Sequence, residues 1–333
     1  ITNRKGLSEN LPQLAGAEFG WVIDQRKLYI GNGTLADGAP AVGNTEVLTQ
    51  YSDILSLATS YTYKGEHAGY TVQTGATSGS PVTQTLQAKL DNFASVLDFG
   101  ATGDGVTDDT DAINRALFQL FCRQTNTTIR RSLYFPAGTY RVTQSIAVPP
   151  FAQLWGDGPN SAIIEMDVAS DSSFGAYVMR TADSLQQTGV NIGTNSATPP
   201  QAIVISGMTF TSVEDIDLVL VDRAEQVSFN NVNFEGPLLQ SSLTSAGADL
   251  AGVRFDSTVA YTTKQIEFNN CKFSQLTYGI NTDENIQGVT VQNSQFNTLY
   301  QAILLGDGTP VNGGPEGVRI VQNLFDAVAK QGI

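Results

Sequence analysis

Five eight-residue segments in the second half of the chain share one pattern of apolar and polar positions. Each segment begins with an aliphatic residue, alternates apolar and polar positions at its start, and ends with phenylalanine seven positions later. This alternation predicts strands with one buried face. The segments are Ile203–Phe210, Val227–Phe234, Ile266–Phe273, Val289–Phe296 and Val318–Phe325.

The spacing of these segments indicates a repeat architecture. Their starts are separated by 24, 39, 23 and 29 residues, which is the length of one coil of a β-solenoid with insertions at its turns. Shorter apolar stretches between them predict a second strand in each coil. These stretches are Ile216–Val221, Val253–Phe255, Gly279–Asn281 and Ala302–Leu305.

Asparagine occupies the same central position in three of the five segments, at Asn231, Asn270 and Asn293. Residues in one register of a solenoid lie about 4.8 Å apart along its axis. We therefore expect these amides to bond to one another as an asparagine ladder at a tight turn.

The segment Ser95–Ile113 predicts a short strand, a Gly-Asp-Gly turn and then a helix. Thr107 or Asp108 is predicted to be the N-cap, with acidic residues in the first turn. An apolar face on this helix predicts that it caps the open end of a β structure. That face consists of Ile113, Ala116, Leu117, Leu120 and Phe121.

Residues Asp98–Pro159 carry the signature DFGAxGDGxxDDTxAI…FPxGxY…GxG. This stretch resembles the opening of the pectate-lyase-like superfamily of right-handed β-helices, a signature that many phage tailspikes share. The resemblance implies an all-β fold, a right-handed parallel β-helix with a capping helix. It does not specify chemistry, because the superfamily contains lyases, hydrolases and proteins with no known enzyme activity.

The N-terminal part predicts a small β-rich module over residues 1–55. Its short apolar runs alternate with Gly and Asn turns, which is typical of a β-hairpin unit. Residues 10–33 resemble the small N-terminal modules of phage tail fibres. That resemblance implies a virion-attachment module that docks on phage baseplate or tail proteins.

Residues 56–94 are predicted to be a linker or neck, and residues 95–333 to be the β-helix. Within the neck, Leu86, Leu90 and Phe93 share one helical face, which either three-fold self-association or packing on the next domain would cover. The chain stops at the start of a strand. We expect the natural protein to continue beyond Ile333, so the β-helix is predicted to be truncated here.

Composition excludes several classes of function. With 18 basic and 32 acidic residues the net charge is −14, which repels nucleic acid and anionic membranes. There is no apolar stretch for membrane insertion and no signal-peptide pattern, so we expect synthesis in the host cytoplasm and residence in the virion tail. A single histidine and two distant cysteines, Cys122 and Cys271, predict buried free thiols and no metal site. No cofactor is implied.

Acidic residues follow the predicted second strands of successive coils. In a solenoid such carboxylates approach one another, and paired carboxylates are the machinery of glycoside hydrolysis. Turn formation is the competing role, because aspartate is a preferred turn residue. The candidate catalytic residues are Asp222, Asp256, Asp283 and Asp307.

Two functions follow as hypotheses. The first is a homotrimeric structural and host-recognition component of a phage tail that presents its β-helix to host cell-surface polysaccharide. The second is an active polysaccharide depolymerase, a hydrolase or a lyase. A lyase would need a cation and an arginine or lysine base, and Arg254 beside Asp256 is the close pairing that the sequence offers. Exposed Tyr261, Tyr278 or Tyr300 could instead bind sugar without cleavage.

Overall fold

The structure of the chain is a computed structural model. It describes residues 3–39, 41–52, 61–62, 66–67, 70–71, 73–77, 80–122, 131–167, 177–182, 200–238, 243, 250–256, 262–282, 286–306 and 315–330. These residues form two compact units, Ile1–Asn92 and Phe93–Ile333.

The first unit contains a four-stranded sheet. Its strand β1 (Asn3–Gly6) runs parallel to β2 (Phe19–Val22), which pairs antiparallel with β3 (Lys27–Gly31), and β3 pairs antiparallel with β4 (Asn44–Val47). The predicted β-rich module is therefore present. Two 3-10 turns, Ser8–Asn10 and Leu35–Asp37, connect the strands.

The neck region contains two small antiparallel ribbons and one short helix. Strand β5 (Tyr61–Thr62) pairs with β8 (Thr83–Gln84), and β6 (Glu66–His67) pairs with β7 (Tyr70–Thr71). Helix α1 (Leu86–Leu90) begins after Thr85, whose hydroxyl accepts a bond from the Ala88 amide at 3.0 Å. Leu90 and Phe93 of the predicted apolar face are exposed.

The second unit is a right-handed parallel β-helix, as predicted. Its strands are β9 (Ala94–Ser95), β10 (Asp104–Asp108), β11 (Leu133–Phe135), β12 (Gly138–Val142), β13 (Ile146–Val148), β14 (Gln153–Gly156), β15 (Ala162–Met166), β16 (Tyr177–Thr181), β17 (Gln201–Ser212), β18 (Asp217–Asp222), β19 (Glu225–Glu235), β20 (Ala251–Asp256), β21 (Thr263–Asn269), β22 (Lys272–Thr282), β23 (Ile286–Gln292), β24 (Gln295–Leu305), β25 (Arg319–Val321) and β26 (Leu324–Val328).

Parallel pairing between successive coils gives the solenoid three faces. Face A contains β9, β11, β14, the first halves of β17 and β19, β21, β23 and β25. Face B contains β10, β12, β15, the second halves of β17 and β19, the first halves of β22 and β24, and β26. Face C contains β13, β16, β18, β20 and the second halves of β22 and β24. The predicted second strands all lie on face C.

The repeated phenylalanines form a continuous stack inside the solenoid. Phe234, Phe273 and Phe296 are fully buried. The ring centroids of Phe234 and Phe273 lie 4.7 Å apart, and those of Phe273 and Phe296 lie 4.8 Å apart, with nearly parallel planes. One side chain per coil thus fills the core at the strand spacing.

The asparagine ladder is confirmed for one pair. Asn231, Asn270 and Asn293 all have left-handed φ values of 53–55°, and the Asn270 side-chain amide donates to the Asn231 carbonyl oxygen at 3.0 Å. The Asn293 amide donates instead to Asn269, at 3.3 Å. Asparagine suits this corner because it tolerates the left-handed region.

The capping helix forms, but the predicted N-cap is wrong. Helix α2 (Thr110–Leu117) has Asp109 as its N-cap and continues into a π-helical turn over Phe118–Cys122. Thr107 and Asp108 instead end strand β10, where the Thr107 hydroxyl bonds to Asp104 at 2.9 Å. The apolar face of α2 belongs to the core cluster of the β-helix.

The two cysteines are free thiols. Cys271 is buried, and burial raises the pKa of its thiol to about 12. Cys122 is only half-buried. The prediction of buried thiols is therefore confirmed for Cys271 and wrong for Cys122.

Candidate functional site

The strands of face C carry two ion-pair clusters of the described β-helix. Alternation along each strand sends Val219, Val253 and Ile280 into the core, so the residues beside them point outward. Register places these outward residues in one row across neighbouring coils. The row consists of Arg180, Leu220, Arg254 and Asn281.

Asp222 lies at the end of β18, where it is 5% exposed. Its two carboxylate oxygens accept bonds from Arg223 Nε and Nη2 at 2.5 and 2.6 Å. Arg180 Nη2 lies 3.6 Å from Oδ2. The Asp222 backbone is also fixed, because its N–H donates to the Thr181 hydroxyl at 2.9 Å. Two guanidinium groups therefore engage the one predicted acid whose side chain the structure describes.

The other three predicted acids are placed less completely. Asp256 is the register partner of Asp222 on the next coil, so the structure brings these two backbones together. Its side chain, and all of Asp283 and Asp307, lie outside the described residues. The described residues therefore do not assemble a carboxylate pair for hydrolysis, and the catalytic role of the four acids stays a prediction.

A second ion pair on face C was not predicted from the sequence. Arg254 Nε donates to Asp217 Oδ2 at 2.6 Å and Nη2 donates to Oδ1 at 3.2 Å. Asp217 also accepts the Ala251 backbone N–H at 2.6 Å. Sequence reasoning missed this pair because it sought acids at the ends of the second strands, whereas Asp217 begins β18.

Asn281 offers an acceptor on the same face. It is 2% exposed, and its side-chain oxygen has no hydrogen-bond partner within the part of the chain that the structure describes. A buried polar atom of this kind usually bonds to water or a ligand. Its outward row position on face C puts that acceptor beside Arg254.

Two of the predicted sugar-binding tyrosines are described. Tyr278 and Tyr300 are both half-buried, and the Lys330 ammonium lies 5.6 Å from the centre of the Tyr300 ring. Tyr261 lies outside the described residues. The two described rings are therefore partly covered by the protein.

The first unit has a separate cleft of about 350 Å³ at the edge of its sheet. Its lining combines two cations with apolar side chains: Arg4, Lys5, Gly6, Leu7, Asn10, Leu11, Pro12 and Trp21. Arg4 binds Glu18 at 2.7 Å. The backbone N–H of Ala15 and the Arg4 guanidinium lower the pKa of the Glu18 carboxyl. The Glu18 carboxylate that binds Arg4 at the wall of the cleft is therefore charged.

No metal or membrane element is found in the described part of the chain. Among those residues no three His, Cys, Asp or Glu side chains are grouped to hold a metal ion. None of the described helices has the length and apolarity that crossing a membrane requires.

These features define a pectate-lyase-like β-helix protein. The family model described as "Rhamnogalacturonase A/epimerase, pectate lyase-like" matches residues 93–304, and the chain belongs to that family.

Relatives extend the comparison to named enzymes. The chain is 25% identical over 268 residues to a probable glucan endo-1,3-beta-glucosidase of Arthroderma benhamiae, covering 68% of this chain and 29% of the relative. It is 33% identical over 120 residues to a glucan 1,3-beta-glucosidase of Cochliobolus carbonum, covering 34% of this chain and 14% of the relative. The chain thus spans less than a third of the length of either curated relative.

A solved structure of similar fold is the Dettilon tailspike protein. It is 14% identical with a TM-score of 0.49, and the match covers 70% of this chain and 40% of that chain. A likeness at this level is not evidence of a shared function.

Proposed function

We propose that this chain is the structural and host-recognition component of a phage tail. The first unit attaches it to baseplate or tail proteins, and the β-helix presents an elongated surface to polysaccharide on the host cell. The protein acts as a homotrimer in the virion after synthesis in the host cytoplasm.

One observation carries the proposal: a small module with a sheet of its own precedes a β-helix of a polysaccharide-acting family. Residues 10–33 of this module resemble the small N-terminal modules of phage tail fibres. Its cleft of about 350 Å³, with cations and an exposed Trp21, provides a surface for a protein partner.

The test of tail attachment is immunogold labelling of purified virions with antibodies raised against residues 3–52. We expect gold at the tail, and removal of the label when the antibodies are first absorbed with the pure chain. Label confined to cell walls or culture medium would contradict the proposal. Recognition is tested separately, by binding of the full chain to an array of bacterial capsule and O-antigen polysaccharides.

A polysaccharide depolymerase is the second candidate, favoured by the likeness to two glucan-1,3-β-glucosidases. Asp222, Asp256, Asp283 and Asp307 are the acids proposed for it. Release of reducing ends, or of unsaturated uronate for a lyase, should be abolished by Asp256→Asn or Asp283→Asn in a variant that still folds. Asp222→Asn should lower stability as well, because it leaves Arg223 and Arg180 without their carboxylate.

Full activity in both Asp256→Asn and Asp283→Asn would remove these residues from the mechanism. Binding of host glycan without cleavage would support the recognition function and contradict the depolymerase.

A further inference from the structure

Two aromatic side chains stack on the outer side of face A. Tyr134 of β11 and Trp155 of β14 are register partners on adjacent coils. Their ring centroids lie 4.2 Å apart with an interplanar angle of 25°. Stacking on the outer face of a solenoid leaves part of the apolar surface of these rings in contact with solvent, where a ligand can cover it.

Hydrogen bonds fix the tyrosine ring on which the indole stacks. The Tyr134 hydroxyl donates to Asp157 Oδ1 at 2.5 Å, and the Ala137 backbone N–H donates to Asp157 Oδ2 at 3.0 Å. The bond to Asp157 raises the pKa of the Tyr134 phenol, so the hydroxyl keeps the proton that makes the bond. A ring fixed in this way binds a ligand with little loss of conformational entropy.

The indole ring has an open side. Trp155 is 37% exposed. Its neighbour on one side is the Tyr134 ring, and its register partner on the other side is Ser206. A serine side chain is too small to cover an indole, so among the described residues the face of Trp155 that looks along the solenoid is left open to a ligand.

Beyond Ser206 the same outward row consists of amides. Its next members are Asn230, Asn269 and Gln292 on successive coils. They repeat at roughly 4.8 Å, the spacing of strands. They lie in fixed positions: the Asn230 amide donates to Ser228 at 2.9 Å, and the Gln292 amide donates to Glu267 at 2.9 Å.

The charge of this surface selects the kind of ligand. Past the left-handed corner that begins each strand, the outward positions of face A from Gln153 to Gln292 carry one acid, Glu267, and neither lysine nor arginine. These positions are Gln153, Trp155, Val204, Ser206, Ser228, Asn230, Glu267, Asn269, Thr290 and Gln292. Before that corner Lys264 pairs with Glu225 at 3.3 Å. An anionic polymer would meet the Glu267 carboxylate and a lysine that Glu225 already neutralises, with Arg319 reached only on the coil after Thr290. Hydroxyl groups, by contrast, can both donate to and accept from the amides along the row.

We propose that face A binds a neutral hexose glycan, with one sugar ring on the indole of Trp155 and following sugars along the amide row. This inference rests on the proposed function and names the ligand class and the site. The C–H bonds on one face of a sugar ring carry partial positive charge, which the electron-rich face of an aromatic ring attracts. The amides satisfy the outward hydroxyls, as a carbohydrate surface requires.

The chain offers an internal reporter for this site, because it contains two tryptophans and both are 37% exposed. In the Trp21→Phe variant, Trp155 is the sole tryptophan. In the Trp155→Phe variant, Trp21 is the sole tryptophan. Each variant of the full chain is titrated with laminarihexaose, a neutral glucose oligomer, and with an oligogalacturonate as the anionic control. Indole fluorescence and calorimetry are recorded together.

We expect saturable fluorescence change with laminarihexaose in Trp21→Phe and none in Trp155→Phe. Trp155→Ala should bind roughly tenfold more weakly, and Tyr134→Phe, which frees the ring from Asp157, should weaken binding by a smaller factor. Circular dichroism and melting curves confirm that each variant folds.

Three results would overturn the inference. The first is no change in Trp155 fluorescence at millimolar laminarihexaose. The second is equal affinity of wild type and folded Trp155→Ala, which would assign the ring stack a purely structural role. A stronger response to oligogalacturonate would reject the neutral ligand class. Tail labelling and polysaccharide-array binding are measured independently, so the proposed function can stand when this inference fails.

Discussion

At the scale of single residues, Asp109 shows how one carboxylate fixes the signature loop. It is 1% exposed, and its oxygens accept the backbone N–H groups of Thr102 at 2.7 Å and Gly103 at 3.0 Å. The loop that precedes the capping helix is thereby tied to the start of that helix.

We predict that Asp109→Asn lowers the free energy of unfolding by roughly 1.5–3 kcal/mol. The asparagine amide keeps one acceptor oxygen, and its N–H₂ group cannot accept the second backbone N–H. Asp111→Asn is the matched control, since Asp111 is exposed on the same helix. Urea unfolding followed by circular dichroism measures both variants. Equal midpoints for the two would contradict the role given to Asp109.

Asp104 provides a test of pH dependence. Its carboxylate accepts the Thr107 and Val106 N–H groups at 2.7 and 2.9 Å. The backbone bond from Thr107, followed by that from Val106, lowers the pKa of Asp104 from 3.8 to about 2. A carboxyl whose folded pKa is depressed stabilises the fold above its unfolded pKa, and loses that contribution as the pH falls through the folded pKa.

We therefore expect Asp104→Asn to melt below wild type near neutral pH, and the difference to shrink as the pH falls from 3.8 towards 2. Scanning calorimetry over that range checks the result. A difference that stays constant to the lowest pH would show that the Asp104 charge is not the cause.

The N-cap prediction shows what sequence cannot resolve at this scale. Four acceptor residues, Thr107, Asp108, Asp109 and Thr110, occur together, and each can cap a helix. The outcome depends on Thr102, Gly103 and Thr143, because Asp109 bonds to the first two and the Asp108 carboxylate accepts the Thr143 hydroxyl at 2.6 Å. Thr143 lies far from Asp108 in the sequence, so the local pattern does not reveal this contact.

At the scale of elements, the repeated strands are the feature that sequence predicted best, and the structure adds that their terminal phenylalanines stack. A phenylalanine at a fixed position of each repeat can meet the next one only if successive strands are parallel and in register. The observed centroid distances of 4.7–5.1 Å from Phe234 to Phe325 agree with that expectation.

We predict that Phe273→Ala lowers the free energy of unfolding by roughly 3–5 kcal/mol, because it leaves a cavity between two rings. Phe325→Ala is the control from the same stack, since Phe325 is 36% exposed and contacts a ring on one side in the described residues. Its loss should be well under half as large. Similar losses for the two, measured by denaturant titration, would contradict a continuous stack.

The corners of the coils were predicted only in part. Asparagine marked the corner after face A, but the other two columns of left-handed residues carry types that give no turn signal. These are Ala202, Gln226 and Gln265 before face A, and Gln275, Thr298 and Ala327 between faces B and C. Backbone hydrogen bonds of the parallel ladder impose the left-handed conformation there, so the neighbouring coils, and not the residue itself, determine it.

The candidate site was predicted less well than the fold for a related reason. Repeats fixed the backbone register of Asp222 and Asp256, which the structure reproduces. Side-chain partners depend on residues from other coils, and the pairing of Asp222 with Arg180 joins positions 42 residues apart. The same holds for Tyr134 and Trp155, whose stacking becomes visible only once β11 and β14 are aligned.

At the scale of the whole molecule, the first unit exposes several large apolar side chains. In the described part of residues 3–52, seven large apolar side chains are exposed: Leu7, Trp21, Ile23, Leu35, Val42, Leu48 and Tyr51. Exposed apolar side chains in this number favour association with another chain. The proposed three-fold assembly would bury part of this surface around an axis shared by three copies.

We predict that the full chain sediments with a mass about three times its 35.5 kDa. The double variant Ile23→Glu, Leu48→Glu should shift it towards the mass of one chain, because a charge placed in an apolar contact loses its hydration. Gln25→Glu is the control, since it adds a negative charge at an exposed turn of the same module.

A wild-type mass of one chain at micromolar concentration would contradict self-association. A trimer that the double variant leaves intact would instead assign the contact to the β-helix, whose exposed Val213 and Leu324 would be the next residues to change.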